Sequence, residues 1–316
     1  MQRFRSLFTK KKSKLGVVAL SFTADGIAIA ISKNTEEHSV RYCEFIPSNK
    51  KHETLKDLTE KHNLTQYECH LVLATEDYRL ISLEMPPVAD DEMLEAIRWK
   101  INELIDFAED ALIDFYNMPK SEKAHSKPMI EVVASSKATI QPLVDLCLNC
   151  GLTPALIDTQ EMALRNLASL LPENDRGIAV LHLEKVTGHI IIEKQNTIYL
   201  NRKVASGYNR LGLNEVMLSD EQVNLEQSGL ALEIQRSIDH VENTYNLPPS
   251  SELAVLPLPE NTQGLLNFLN NNYGITARVL DLTTIIDCDI ALDDNTQSHC
   301  ATVIGATLRR YSENIL

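Results

Sequence analysis

Glycine is scarce in this chain: 11 of 316 residues, about 3% against an average near 7%. Loops that cradle phosphate need residues without a Cβ, so the shortage weighs against a chain built around several of them. Long apolar runs are missing as well. No stretch approaches the roughly 18 uninterrupted apolar residues that a membrane-crossing helix requires. The basic start followed by Leu15–Phe22 imitates a secretory signal, but Thr23 and Asp25 break its short apolar run and no small-residue cleavage pattern follows. GxSxG, HExxH and GxxxxGK[ST] are all absent, which removes the usual signatures of hydrolase elbows, zinc proteases and P-loops.

Cysteine offers no framework either. Cys43, Cys69, Cys147, Cys150, Cys288 and Cys300 are scattered without regular spacing, as is normal for reduced thiols. Cys147 and Cys150 form a lone CxxC that closes a helix just before Gly151. A thioredoxin-like motif would open a helix, and a zinc site would need two more ligands at comparable spacing, so both residues read as core cysteines and no metal is expected.

What is present is acid. The net charge is −14, yet residues 1–14 carry Arg3, Arg5, Lys10, Lys11, Lys12 and Lys14 with no acid, leaving 24 bases against 44 acids elsewhere. An acidic body repels a phosphate backbone, so no nucleic acid is expected as partner. The basic segment, with Phe4, Leu7 and Phe8 interleaved, is either a solubilising end or a weak contact to an anionic membrane surface, at about 1 kcal/mol per basic residue. With 44% hydrophobic and 23% charged residues the rest is ordinary globular protein, long enough for two lobes.

Two segments look alike. Leu15–Phe22, a turn at Thr23–Gly26, Ile27–Ser32 and Ser39–Ile46 form one set of three β-rich runs. Gly177–Leu183, a turn at Glu184–Gly188, His189–Glu193 and Thr197–Val204 form the other. The pairing indicates a duplicated domain, with helices and short strands filling the spaces between. Between Pro86 and Pro154 the scheme is interrupted by a helix over Asp90–Phe107, a strand region and another helix, which reads as an inserted subdomain.

Met85-Pro86-Pro87 followed by Glu92–Lys100 and Ile113–Tyr116 resembles the PilM-type proteins of type IV pilus assembly. So do Cys150–Leu152 with Leu156–Asp158, Ala163-Leu164, the Arg202–Gly207 end of the second meander, and Gly305–Arg309 in the closing helix. Within that family it resembles the divergent branch serving mannose-sensitive haemagglutinin (MSHA) pili. The resemblance implies an α/β, two-lobed actin-like ATPase fold (duplicated, ribonuclease H-like) with an inserted subdomain of the FtsA/PilM type. It implies these parts: residues 1–14, a basic flexible tail; 15–85 with 155–175 and 298–316, the first lobe; 86–154, the insertion; 176–297, the second lobe.

That fold holds ATP between the lobes, and the resemblance puts this chain's residues on its contact points. Ser21 falls on a phosphate-turn aspartate and Thr23 on its glycine; His182 and Glu184 fall on the same positions of the second turn. Glu184 would set a carboxylate beside phosphate, a repulsion of about 4 kcal/mol at 4 Å and an effective dielectric near 20. The adenosine turn, Gly-Gly in the family, is replaced by Pro257 and Leu258, and proline supplies no N–H. Asp25 beside Gly26 reads as plain turn chemistry, and His182 as a strand histidine.

The expectation is therefore a degenerate site with no catalytic residue, no bound cofactor and no metal; ATP with Mg²⁺ belongs only to the alternative of an active ATPase. The resemblance further implies a cytoplasmic scaffold, peripheral to the inner membrane. Its partners would be the cytoplasmic N-terminal tail of a PilN-type membrane protein, held between the first lobe and the insertion, and other pilus assembly components. The acids Glu103, Asp106, Glu109, Asp110 and Asp114 are either a solvated face or an acidic docking surface.

Overall fold

The computed structural model describes residues 14–33, 38–123, 125–212, 220–247 and 252–309. Residues 1–13 of the basic segment and residues 310–316 lie outside the described residues.

The first meander forms β1 (Val17–Phe22), β2 (Gly26–Ser32) and β3 (Ser39–Pro47). It continues through helix α1 (Lys51–His62) into β4 (Glu68–Val72). Five of the six residues of β1 and all seven of β2 are buried, because this sheet is covered on both faces, as its nearly continuous apolar runs anticipate. β1 pairs with β2 antiparallel and with β4 parallel.

The second meander repeats the plan with β9 (Ile178–Leu183), β10 (Gly188–Lys194) and β11 (Thr197–Val204), and β12 (Leu253–Val255) lies parallel to β9. β8 (Pro154–Asp158) and β13 (Ala277–Val279) extend the two sheets in parallel at corresponding edges. The orders β3-β2-β1-β4-β8 and β11-β10-β9-β12-β13 are the same topology twice, so the duplication seen in the sequence is a duplication of fold.

A third sheet has three antiparallel strands, β5 (Arg79–Glu84), β6 (Ala111–Asn117) and β7 (Met129–Ser136), in the order β5-β7-β6. α2 (Met93–Ile101) covers one of its faces through Met93, Ile97 and Ile101. The boundary placed at residue 86 is one strand late, because β5 pairs along its whole length with β7. α2 also stops short of Phe107: Ile105 and Phe107 pack on the same core from the turn that follows. α3 (Lys137–Asn149) returns the chain to the first sheet, its first turn capped by the Ser136 hydroxyl accepting from Thr139 N–H at 3.0 Å.

Two helices lie at the centre, α4 (Gln160–Ala168) and α7 (Asp294–Thr307). They approach closely at Gly305, where a Cβ would strike the Ala163 carbonyl. Around them runs one apolar core joining Ala19 and Ala30 of the first sheet to Val180, Ile191 and Ala254 of the second. The outer face of the second sheet is covered by α5 (Asp220–Tyr245) and α6 (Thr262–Tyr273). The first sheet gains one short strand from late in the chain, β14 (Asp287–Cys288), parallel to β3. Residues 287–288 therefore belong with the first lobe and not, as the 176–297 span has it, with the second.

Candidate functional site

Between the two large sheets lies a cleft of about 410 Å³. The β1–β2 turn forms one wall, the β9–β10 turn the other, and α7 contributes Ser298, His299 and Thr302. Ser21 and Thr23 from the first meander and His182 and Glu184 from the second all line it. Pro257 and Leu258 are not among its lining residues. Leu258 is 1% exposed and packs into the core of the second lobe, with its N–H donating to Thr262 Oγ1 at 2.9 Å.

Both turns satisfy themselves. In the first, Thr23 N–H donates to the Gly26 carbonyl at 3.0 Å, and Gly26 N–H donates to Thr23 Oγ1 at 3.3 Å. In the second, Glu184 N–H donates to the Thr187 carbonyl at 2.8 Å. The Tyr208 N–H then donates to the Glu184 carbonyl at 2.9 Å. Gly207 is required beside this turn because a Cβ would strike the Val186 backbone. A backbone anion nest needs a residue in the left-handed region, and no residue of either turn has positive φ.

Glu184 is the centre of the cleft's chemistry. Its carboxylate accepts from Thr75 Oγ1 at 2.9 Å and from Gln160 Nε2 at 3.0 Å, with Thr187 Oγ1 at 3.4 Å. Thr75 follows β4 and Gln160 opens α4, so one carboxylate of the second lobe ties down two elements of the first. Burial pushes the Glu184 carboxyl up. His182, His189 and the bonds from Gln160 and Thr75 outweigh that and hold it below the usual carboxylate range. At the mouth, Lys185 Nζ and Asp25 Oδ2 form a second, exposed link between the lobes at 3.2 Å.

Behind Glu184 is a buried polar chain. Thr75 Oγ1 also lies 3.0 Å from His189 Nε2. Having one proton to give, it donates to Glu184 and accepts from the ring. His189 Nδ1 stands 3.2 Å from Glu161 Oε1 without hydrogen-bond alignment, and Tyr78 OH donates to Glu161 Oε2 at 2.7 Å. His182 pairs with His189 across β9 and β10. It is 4% exposed, and its Nδ1 has no hydrogen-bond partner among the described residues. Burial drives its pKa down to about 4, against the pull of Glu184, so the ring is neutral at neutral pH.

Thr75, Gln160 and the Asp25–Lys185 pair were not anticipated. Thr75 and Gln160 follow the C-terminal ends of two parallel strands, where α/β sheets gather their sites; that position was the available signal. Cys147 is wholly buried, Cys150 nearly so, and both are free thiols. No group of three metal-ligating side chains occurs among the described residues, and none of their helices is long and apolar enough to cross a membrane.

Among solved structures, the chain is similar to that of a PilM–PilN type IV pilus biogenesis complex, with 15% identity, a TM-score of 0.73, and 93% of this chain and 98% of that one covered. The cytoplasmic domain of EpsL, an inner-membrane component of the type II secretion system of Vibrio cholerae, matches with 15% identity, a TM-score of 0.50 and coverage of 93% and 96%. A Bacteroides thetaiotaomicron protein of actin-like ATPase fold matches with 11% identity, a TM-score of 0.51 and coverage of 89% and 96%. These likenesses establish the actin-like fold. No curated protein matches the sequence. The family model described as type IV pilus assembly protein PilM matches residues 24–235, a span that runs from the β1–β2 turn through the three-stranded insertion and the second meander into α5. The chain therefore belongs to the PilM family of type IV pilus assembly proteins.

Proposed function

We propose that this chain is a non-catalytic cytoplasmic scaffold of a type IV pilus assembly platform, of the branch serving MSHA pili (MshI-type proteins), and that it does not use ATP. The observation carrying this reading is Glu184. Its carboxylate occupies the turn where the fold would grip phosphate, and it is fixed there by Thr75 and Gln160. The groups around the cleft do not fit a nucleotide. A resident carboxylate repels phosphate, both turns have their leading N–H groups engaged, and the segment aligned with the adenosine turn is packed into core at Leu258.

The partner is the cytoplasmic N-terminal segment of a PilN-type inner-membrane protein, lying between the first lobe and the insertion. Supporting it is the likeness, at a TM-score of 0.73, to a chain of a PilM–PilN complex. Membrane tethering of such a tail raises its effective concentration, so modest intrinsic affinity suffices. Titration calorimetry of the full chain with tail peptides from PilN-type proteins tests the scaffold reading; absence of binding heat with every tail overturns it. Thermal unfolding with Mg-ATP tests the nucleotide reading. Micromolar affinity at millimolar ligand would stabilise the protein by about 4 kcal/mol, and the expected shift is nil.

A further inference from the structure

The insertion carries a surface that lies outside the cleft lining. Trp99, the single tryptophan, is 80% exposed on the outer side of α2, with Leu94 at 52% and Leu104 at 57% nearby in the chain. Its surroundings are acidic: Glu92, Glu95, Glu103, Asp106, Glu109 and Asp110 are all exposed, and none has an ion-pair partner among the described residues. The two bases within this stretch are turned to other work. Arg98 Nη1 donates to the Ala111 carbonyl at 2.9 Å and Lys100 Nζ to the Glu84 carbonyl at 2.9 Å. A large aromatic standing in water beside six acids and only two bases is a poor surface for an isolated domain and a good anchor for a basic partner.

We infer that this face docks the chain's own basic segment, residues 1–14. The chemistry is complementary on both counts. The segment has six bases and no acid, with Phe4, Leu7 and Phe8 among them. Arg3 and Arg5 offer guanidinium groups that stack well on an indole ring. Reach permits it. Lys14 is anchored where its Nζ donates to the Thr65 carbonyl at 3.0 Å, and thirteen residues span up to about 45 Å. A globule of this length has a radius of gyration of about 20 Å. Docking places the cations beside the carboxylates and covers Trp99, which resolves the two unbalanced features of the molecule together. It is independent of whether the cleft binds a nucleotide or a PilN-type tail is captured.

Because Trp99 is the only tryptophan, acrylamide quenching of its fluorescence reads this one face in the full chain. In low salt the wild type is expected to show a shielded, blue-shifted Trp99, and at about 1 M salt, where the Debye length is about 3 Å, that protection is lost. Reversing the tail (Arg3→Glu, Arg5→Glu, Lys10→Glu, Lys11→Glu and Lys12→Glu) also abolishes it. Reversing the face (Glu92→Lys, Glu95→Lys, Glu103→Lys and Asp106→Lys) does the same, and the two sets combined restore it. Equal quenching in wild type and tail variant at low salt overturns the proposal. So does Trp99 that is equally exposed with and without phosphatidylglycerol vesicles while the wild type binds them, since the segment's site would then be the lipid.

Discussion

Glu184→Ala removes the carboxylate that ties Thr75 and Gln160 of the first lobe to the second. Two hydrogen bonds to a charged acceptor are lost, each worth about 1.5–3 kcal/mol. The cleft is open enough, at about 410 Å³, for water to take over part of what Thr75 and Gln160 give up, so the lower end applies and the cost is about 3 kcal/mol. For a chain of this size the melting temperature falls by about 2 °C per kcal/mol, giving a drop of about 6 °C. Glu184→Gln keeps one acceptor oxygen but loses the charge and turns a second donor toward Gln160, so it should cost about half as much. Thermal unfolding followed by circular dichroism measures both. A drop of less than about 1 °C for the alanine variant would mean that the bridge contributes nothing, and the reading of Glu184 as a structural tie would be wrong. A Glu184→Gly variant adds a second check. It restores the residue expected of a phosphate turn, yet should still show no stabilisation by Mg-ATP, because the Thr23 turn and Leu258 are unchanged. A gain of nucleotide binding would refute the claim that all the contact points fail together.

Acid should act through His182. Its folded pKa of about 4 lies below the ordinary value of 6.5, so the unfolded chain binds the extra proton first. Stability is full above about pH 6.5 and falls by about 3 kcal/mol on going down to pH 4. The groups facing the ring, Glu184, His189 and His299, are unchanged in His182→Gln, whose melting temperature should vary less over that window; identical slopes for both proteins refute the assignment. Gly305→Ala drives a methyl into the Ala163 carbonyl and should cost about 2–3 kcal/mol in the same melt. Lys185→Ala breaks an ion pair whose side chains are 56% and 62% exposed, so its melting temperature should stay within about 1 °C of wild type. A large drop would show that the cleft mouth, and not Glu184, holds the lobes.

The duplication was legible because it is local: each meander is three alternating runs joined by turn residues, and hairpin pairing follows directly from that pattern. What the sequence concealed depends on contacts between distant segments. β5 reads as a strand of the first lobe until its pairing with β7 is seen, and β14 has only two residues. The apolar spacing through Ile105 suggested a longer helix, yet Ile105 and Phe107 reach the same core from a turn, and periodicity alone cannot separate those cases. The site divides in the same way. Glu184 was identifiable because the family resemblance set it on the glycine position of a phosphate turn. Its partners Thr75 and Gln160 lie 109 and 24 residues away, and only the parallel strands that precede them bring them together.

The lobes are joined at two levels, and the levels differ in kind. At the base a single apolar core runs from Ala19 and Ala30 through α4 and α7 to Val180 and Ile191. Its stabilisation scales with buried area and needs no ligand. At the cleft the tie is one carboxylate with donors from the opposite lobe. In a nucleotide-driven machine that second tie belongs to a ligand, and the conformational equilibrium shifts only because the ligand can bind, react and leave. Glu184 is covalently part of the chain and can do none of these. Its hold can be weakened by protonation, but its depressed pKa puts that below the ordinary carboxylate range. On the scaffold reading proposed above, replacing the anion by a side chain removes the switch, which is what a permanent docking platform requires.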